Sequence, residues 1–523
     1  MTGRVACEGR GIAGVAVSDG ITVVTTDSTG HYALQSDKAN GYVFISIPRG
    51  YMVDMAHGFN PQFWQRLSAD VKAKEVHNFA LKAQPDDNYV MILGADCQVA
   101  NRSGDRKNYK NGYIASLRRE KAMAEQCHMP VYSTILGDLS WDNFWYAHRY
   151  SITHFLDEQR KIGYPVPLFA VMGNHDNNPS VPHSPSTDFL ASKTWRERVC
   201  PNYYSFNIGK VHYVVLDNIV YLNDTLPEGK KARKGVWGLR NYEAAITPEQ
   251  LAWLRQDLAL ADKQAPVVVC SHIPTFRLNK EFATFGSLKN VDELAACFEG
   301  FKEVHFVSGH THVNYNAHPK QYPHMREHNI AAISGSLWNT SPFSGVGMCV
   351  DGSPSGYSRW TVRGDSIEWK YVAVEDATEP QFRVADMNAV KQFLATDADA
   401  LALKEKCESL PTYAEFEDNA LLINAFAWDD DWMLEVTENG TPLPTQRIRA
   451  VDPAYLLAYA LPRYRKGVNV APHYLSPTAH IFKVVASSAH TPVSVRITDS
   501  FGHVYETTVQ RPAPFNLHNP NKE

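Results

Sequence analysis

Five short polar motifs punctuate the middle of this chain, each directly after an apolar run: Gly94-Ala95-Asp96-Cys97-Gln98, Gly137-Asp138, Gly173-Asn174-His175-Asp176, Ser271-His272 and Gly309-His310-Thr311-His312. Their side chains are of the types that hold metal ions. Asp96 and Asp138 are hard anionic oxygen donors, while Asn174 and Gln98 offer neutral amide oxygens. His272, His310 and His312 bring imidazoles, borderline donors suited to Mn, Fe, Zn or Ni. A carboxylate can bridge two ions, and Asp138, central in the motif order, is the expected bridge. Two divalent ions roughly 3.5–4 Å apart can hold both the attacking and the leaving oxygen of an in-line displacement, and can ionise a water near neutral pH. The expected chemistry is hydrolysis of a phosphate ester.

Taken singly, each motif has an ordinary explanation. A Gly-Asp after a strand is usually a turn, Gly-Asn-His-Asp can cap a helix, and a histidine closing a buried strand is more often structural than a ligand. The order of the motifs and their shared placement set those explanations aside. In open α/β folds ligands bind at the carboxyl ends of strands, where these motifs fall. Glycine just before a ligand lets the chain turn sharply and approach a metal or phosphate closely.

The elements that must position these residues are legible as apolar strands at 89–93, 131–136, 167–172, 212–216, 266–270 and 304–307, alternating with amphipathic helical stretches. The clearest helix is 248–262, where Leu251, Leu254, Leu258 and Ala261 share one face. Thr247 is its expected N-cap, Pro248 suits the first helical position, and Gln250 completes the capping-box spacing. Such alternation predicts a layered α/β domain over 85–362. Before it, residues 1–84 carry short strand-like runs separated by turns such as Asp19-Gly20 and Ser28-Thr29-Gly30, which predicts a small accessory β-sandwich. The polar run 82–88 reads as the linker. Residues 363–523 read as a third, mainly β domain with one helical stretch near 387–407.

At 523 residues the chain is too long for one core, in keeping with that division. A net charge of -5 gives no support to binding a nucleic-acid polymer, so the expected partner is a small phosphorylated substrate. The cysteines form no CxxC pair, which argues against a zinc ribbon or a thioredoxin-like redox centre. No segment approaches the ~18 apolar residues that span a bilayer. The first twenty residues lack the basic start and apolar run of a signal peptide. They fit a cytoplasmic protein or one whose leader has been removed, and the expectation leans to a periplasmic or secreted location. The sequence leaves the oligomeric state open.

The motif series resembles the calcineurin-like metallophosphoesterase superfamily, whose pattern is D-x-H, G-D, G-N-H-D/E, H and G-H-x-H in that order. The resemblance covers residues 89 to 340. It implies a four-layer α/β/β/α sandwich with a dinuclear centre, hydrolysing a phosphate mono- or diester by direct attack of metal-bound hydroxide. It further implies that Asp96 and His312 serve one ion, that Asn174, His272 and His310 serve the other, and that Asp138 joins them. His175 would be a catalytic residue that stabilises the phosphoryl oxygen or protonates the leaving group, not a ligand. More softly, Gly11 to Gly30, Tyr203-Tyr204-Ser205-Phe206 and Leu216-Asp217-Asn218 are similar to a bacterial subgroup whose phosphoesterase lies between N- and C-terminal β domains. One departure matters. Gln98 stands where the superfamily has histidine, as in the D-x-Q branches, and this predicts weaker metal binding at the first site. Two other readings compete: a non-catalytic glycan- or envelope-binding protein that retains the fold, and a protein Ser/Thr phosphatase. Trp141-Asp142-Asn143, Asn177-Asn178 and Trp338 are candidates either for lining a pocket or for ordinary turn and packing roles.

Overall fold

The computed structural model describes residues 1–374 and 378–517. Its centre is a pair of mixed sheets. Their strands, in chain order, are β1 (Asn88–Gly94), β2 (Val131–Leu136), β3 (Leu168–Val171), β4 (Tyr204–Ile208), β5 (Val211–Val215), β6 (Val267–Cys270), β7 (Val304–Ser308), β8 (Tyr315–Ala317), β9 (Met325–Asn329), β10 (Gly356–Arg363) and β11 (Ser366–Ala373). The first sheet runs β3-β2-β1-β10-β11 and the second β4-β5-β6-β7-β9-β8. In the first, β1, β2 and β3 are parallel; in the second, β5, β6, β7 and β9 are. Parallel sheets are covered on both faces, so their strands read as continuous apolar runs, and here β2, β3, β5, β6 and β7 are buried at every residue.

The sheets face each other through large side chains. Tyr89 on β1 meets Tyr213 on β5 hydroxyl to hydroxyl at 2.8 Å, and His305 and His328 of the second sheet pack edge-on against Trp360 and Trp369 of the first. Helix Ala115–Gln126 lies against β1 and β2. The result is the α/β sandwich expected from the motif series. The hairpin of β10 and β11 extends past the expected boundary at 362/363, so the first sheet is complete only at Ala373.

Helix Pro248–Leu258 forms where the apolar face predicts it, and the Thr247 hydroxyl accepts the Gln250 backbone N–H as an N-cap. It ends four residues earlier than 262. Gln250 does not complete a capping box: its side chain is spent on the backbone N–H and carbonyl of Asp217, tying the helix to the loop after β5. The 387–407 stretch is two helices, Met387–Thr396 and Ala398–Lys406. Asp397 between them adopts extended φ/ψ and its carboxylate caps the Ala400 N–H, which ends one helix and starts the next. Further helical turns span Pro453–Tyr455 through Leu461–Arg465, inside the expected mainly β domain.

The N-terminal strands form sheets of five and four strands that dock on the edge of the second central sheet. Ile47 bridges to Phe206, the Tyr203 hydroxyl donates to the Gly20 carbonyl at 2.7 Å, and Phe44 packs on Trp253. Gly20 sits at φ +87°, and a Cβ there would meet the Asn40 side chain at 2.7 Å and the Tyr203 hydroxyl at 3.2 Å. The Asp19-Gly20 turn and the Tyr203-to-Phe206 motif are thus two halves of one interface. The C-terminal region holds two four-stranded sheets together with the helices above. All eight cysteines are free, and no helix among the described residues is long and apolar enough to cross a membrane.

Candidate metal centre

The five motifs meet. Asp96 follows β1, Asp138 follows β2, Asn174 and His175 follow β3, His272 follows β6, and His310 and His312 follow β7. Carboxylate oxygens of Asp96 and Asp138 and a ring nitrogen of His272 lie within 4.8 Å of one another, all buried. The contacts fall into two groups. In one, His312 Nε2 is 3.3 Å from Asp96 Oδ1. In the other, His272 Nε2 is 3.0 Å from Asn174 Oδ1 and 3.1 Å from His310 Nδ1. Asp138 stands between them, its Oδ2 3.4 Å from His272 Nε2.

Tight turns bring these groups so close. Asp96, Gln98, Asp138, His310 and His312 adopt φ of +53°, +42°, +53°, +67° and +57°, a left-handed region that costs non-glycine residues on the order of 1–3 kcal/mol each. Such strain persists only when the surroundings over-determine it. Here backbone hydrogen bonds lock the turns: the Asp96 N–H donates to the Gly137 carbonyl, the Gln98 N–H to Asp138, and the His310 N–H to Asp96 Oδ2 at 2.7 Å. Glycines make room. A Cβ on Gly137 would sit 2.3 Å from His272 Nδ1, one on Gly173 2.2 Å from the Asp138 nitrogen, and one on Gly309 2.5 Å from Asp96 Oδ2.

These residues fit divalent ions on three observations. His272 Nδ1 faces the Leu136 carbonyl at 2.8 Å and His312 Nδ1 the Gly335 carbonyl at 2.9 Å, which orients both rings with Nε2 turned inward. Asp96 Oδ1 is buried with no hydrogen-bond donor. Separations of 3.0–3.4 Å between nitrogen and oxygen donors also suit ~2.0–2.2 Å bonds to shared ions. Burial alone would raise the Asp138 carboxyl, but His272 and His175 outweigh it and hold it well below its ordinary value. Burial would lower His272; Asp138 overcomes that and lifts it to about 9. His310, buried and beside His272, is driven well below 6.5.

Gln98 is inside the cluster with its amide turned: Nε2 donates to Asp138 Oδ2 at 3.2 Å, while Oε1 faces the Ser334 hydroxyl. The expected oxygen ligand is, as placed, a donor to the central carboxylate. His175 lies at the rim. Its backbone N–H donates to Asp138 Oδ1, its Nδ1 faces Asp142 Oδ1 at 2.8 Å, and its Nε2 is 3.9 Å from Asp138 Oδ2. Burial opposes a charged ring there, but Asp138 and Asp142 prevail and raise its pKa.

Arg240 and Tyr242 carried no readable signal, while Asp142 and Asp176 take roles that their motifs did not specify. Asp142 holds His175 and is itself held by Arg240 at 2.6 Å, from a loop remote in sequence. The Tyr242 hydroxyl lies 3.2 Å from His310 Nε2. Asp176 accepts backbone N–H groups from Leu139, Ser140 and Gly173, stitching the second motif to the third; burial pushes it up to about 7. Asn178 accepts the Tyr146 and Ser180 hydroxyls and is turn chemistry, and Trp338 is buried with its Nε1 on the Cys97 carbonyl.

Residues 96–314 match the family described as calcineurin-like phosphoesterase. Residues 1–84 and 327–505 match the N-terminal and C-terminal regions of calcineurin-like phosphoesterase, respectively. No curated protein matches significantly. Among solved structures, a dimetal phosphatase from Danio rerio is 16% identical, with 54% of this chain and 95% of that one covered at a TM-score of 0.35. PhoD is 12% identical over 79% of this chain and 83% of its own, with a TM-score of 0.36. A 5'-nucleotidase from Candida albicans is 8% identical over 56% and 52%, with a TM-score of 0.31.

Proposed function

The chain belongs to the calcineurin-like phosphoesterases, and from that premise we propose that it hydrolyses a small phosphate mono- or diester at a centre of two divalent ions held by Asp96, Asp138, Asn174, His272, His310 and His312. It is a metal-dependent hydrolase of phosphoester bonds. The observation that carries the finer reading is the convergence of Asp96, Asp138 and His272 within 4.8 Å, with the Asp96 oxygen lacking any donor.

Divalent ions bound there supply the charge that acidifies a water and offsets the negative phosphoryl oxygens. The chain's own residues divide the remaining work. Asp138 lies between the two groups of donors, and Gln98 donates to it, fixing its orientation where histidine would stand in other branches. His175, aimed by Asp142 and Arg240, presents Nε2 at the rim, where it holds a proton for the leaving oxygen or donates to a phosphoryl oxygen. No side chain is needed as a covalent nucleophile, so the displacement is a single in-line step by water. The catalytic unit comprises 85 through the end of β11, flanked by accessory β domains.

The test is turnover of p-nitrophenyl phosphate and bis-p-nitrophenyl phosphate by the full chain with Mn²⁺ added, alongside elemental analysis. Hydrolysis of either ester, abolished by chelator and restored by metal, is expected. Metal-containing protein that turns over neither ester would point instead to a binding role.

A further inference from the structure

Beside the candidate centre stands a wall of positive charge that the hydrolytic machinery does not use. Trp141 lies next to His175, ring centroids 5.9 Å apart, and packs edge-on against Phe144 at 4.9 Å. The Arg102 guanidinium lies 4.9 Å from the Trp141 ring and 5.0 Å from that of Phe144; the Arg233 guanidinium lies 4.5 Å from Phe144. Two arginines from segments far apart in the chain are therefore held on one aromatic pair, one ring contact from His175.

Neither arginine forms an ion pair with a carboxylate among the described residues, although Asp105 acts on Arg102 through space. That separates them from Arg240, Arg359 and Arg511, each bonded to carboxylates. Asp105, the carboxylate that acts on Arg102, is already engaged, accepting the backbone N–H groups of Ala100, Arg102 and Arg106 at 2.7, 3.0 and 2.7 Å. Arg233 also sits in the run Lys230-Lys231-Ala232-Arg233-Lys234, which forms no ion pair among the described residues, in a chain whose net charge is -5. The loop is anchored. The Trp237 N–H donates to the Pro179 carbonyl at 2.9 Å, Asn223 donates to Val181, and Gly235 lies so close to Tyr146 that a Cβ would be 2.2 Å from its ring. Burial lowers the Arg102 pKa, Asp105 and Tyr474 act in the opposite direction, and Arg233 and Arg463, the latter from the C-terminal domain, add to the lowering.

Guanidinium groups held on aromatic faces keep their N–H edges free, and those edges match phosphate oxygens in pairs. Gathering Arg102, Arg233 and Arg463 around the single Asp105 carboxylate is unfavourable unless a further anion occupies the space between them. We propose that Arg102 and Arg233, set on Trp141 and Phe144, form a second anion subsite, so that the preferred substrate is a phosphate ester whose leaving group carries a further phosphate. This rests on the reading that the scissile phosphoryl group binds at Asp96–His312. The first phosphate is hydrolysed there, and the second is held, unreacted, by the arginines.

The experiment compares fructose 1,6-bisphosphate with fructose 6-phosphate, using the full chain loaded with Mn²⁺ and its Arg102→Ala/Arg233→Ala and Arg102→Lys/Arg233→Lys variants. The wild type is expected to favour the bisphosphate at least about tenfold in kcat/KM, and added salt should erode that preference because exposed charges are screened. The alanine pair should bring the ratio of the two esters to within about twofold, through KM; the lysine pair should keep part of it. A wild type without preference, or an alanine pair in which both esters decline in parallel, overturns the subsite. If neither sugar phosphate is hydrolysed, calorimetric binding of fructose 1,6-bisphosphate decides: weaker binding to the alanine pair supports the subsite and equal binding overturns it. Failure of the phosphoesterase reading is seen separately, as absence of p-nitrophenyl phosphate turnover in metal-containing wild type.

Discussion

Asp96 and Asp351 are both fully buried carboxylates beside a histidine, yet their oxygens are used in opposite ways. Asp351 Oδ1 accepts the Ser353 N–H and hydroxyl, and its Oδ2 accepts the Asn314 N–H at 2.7 Å and faces His480 Nε2 at 3.2 Å. His480 Nδ1 in turn meets Asn424, which donates to Asp452 and to the Asp351 carbonyl. This network fastens the C-terminal domain to the loop after His312, and it closes on itself. The strand-end cluster does not close. Asp96 Oδ1 has no donor, the ring nitrogens of His272 and His312 turn inward, and Asp96, Asp138, His310 and His312 stand on left-handed backbone. A buried polar cluster that satisfies itself is structure; one whose acceptors converge without donors is built for a cation. The two also touch: His312 is oriented by the Gly335 carbonyl, and the neighbouring Ser336 receives the Tyr455 hydroxyl of the C-terminal domain.

Substitutions can break or sharpen this contrast. The largest effect is expected at Asp138. Asp138→Asn should lower kcat/KM on p-nitrophenyl phosphate by on the order of 10³-fold or more and deplete bound metal, since several kcal/mol of charge stabilisation go with it. Unchanged metal and activity would erase the distinction between the clusters. His175→Ala comes next, with turnover down by about 10² or more at intact metal content; loss of metal instead would make His175 a ligand. His480→Ala should cost about 3 kcal/mol in denaturant unfolding, because it strands a buried carboxylate, while metal content stays at the wild-type level.

The same network sets an acid limit. Burial alone would raise the Asp351 carboxyl, but His480 and its other donors hold it below the ordinary range. A depressed carboxyl stabilises the fold fully above its unfolded value of about 3.9, and that stability is lost as pH falls below this value and through the lower folded one. Acid unfolding should therefore be less steep in Asp351→Asn than in wild type, read by circular dichroism from neutral pH downward. The smallest change is expected from Gln98→His, which should slow metal loss to chelator roughly tenfold by restoring an imidazole. Faster loss would mean that the Gln98 contact to Asp138 matters more than an added ligand.

The central strands, the order of the motifs and the ligand candidates were legible in the sequence, because apolar runs and strand-end glycines are local signals. The sequence also marked the Asp19-Gly20 and Tyr203-to-Phe206 segments, though not that they bind each other. Other features were decided only in three dimensions. The left-handed turns at Asp96, Asp138, His310 and His312 exist because neighbouring loops hold them, and no single-residue preference reveals that. Arg240 and Tyr242 reach the site from segments with no motif, Asp142 proves to orient His175, Gln98 turns its amide toward Asp138, and Gln250 abandons the cap for Asp217. In each case a long-range hydrogen bond outweighs the local rule, since burial makes an unpartnered polar group costlier than a lost local contact.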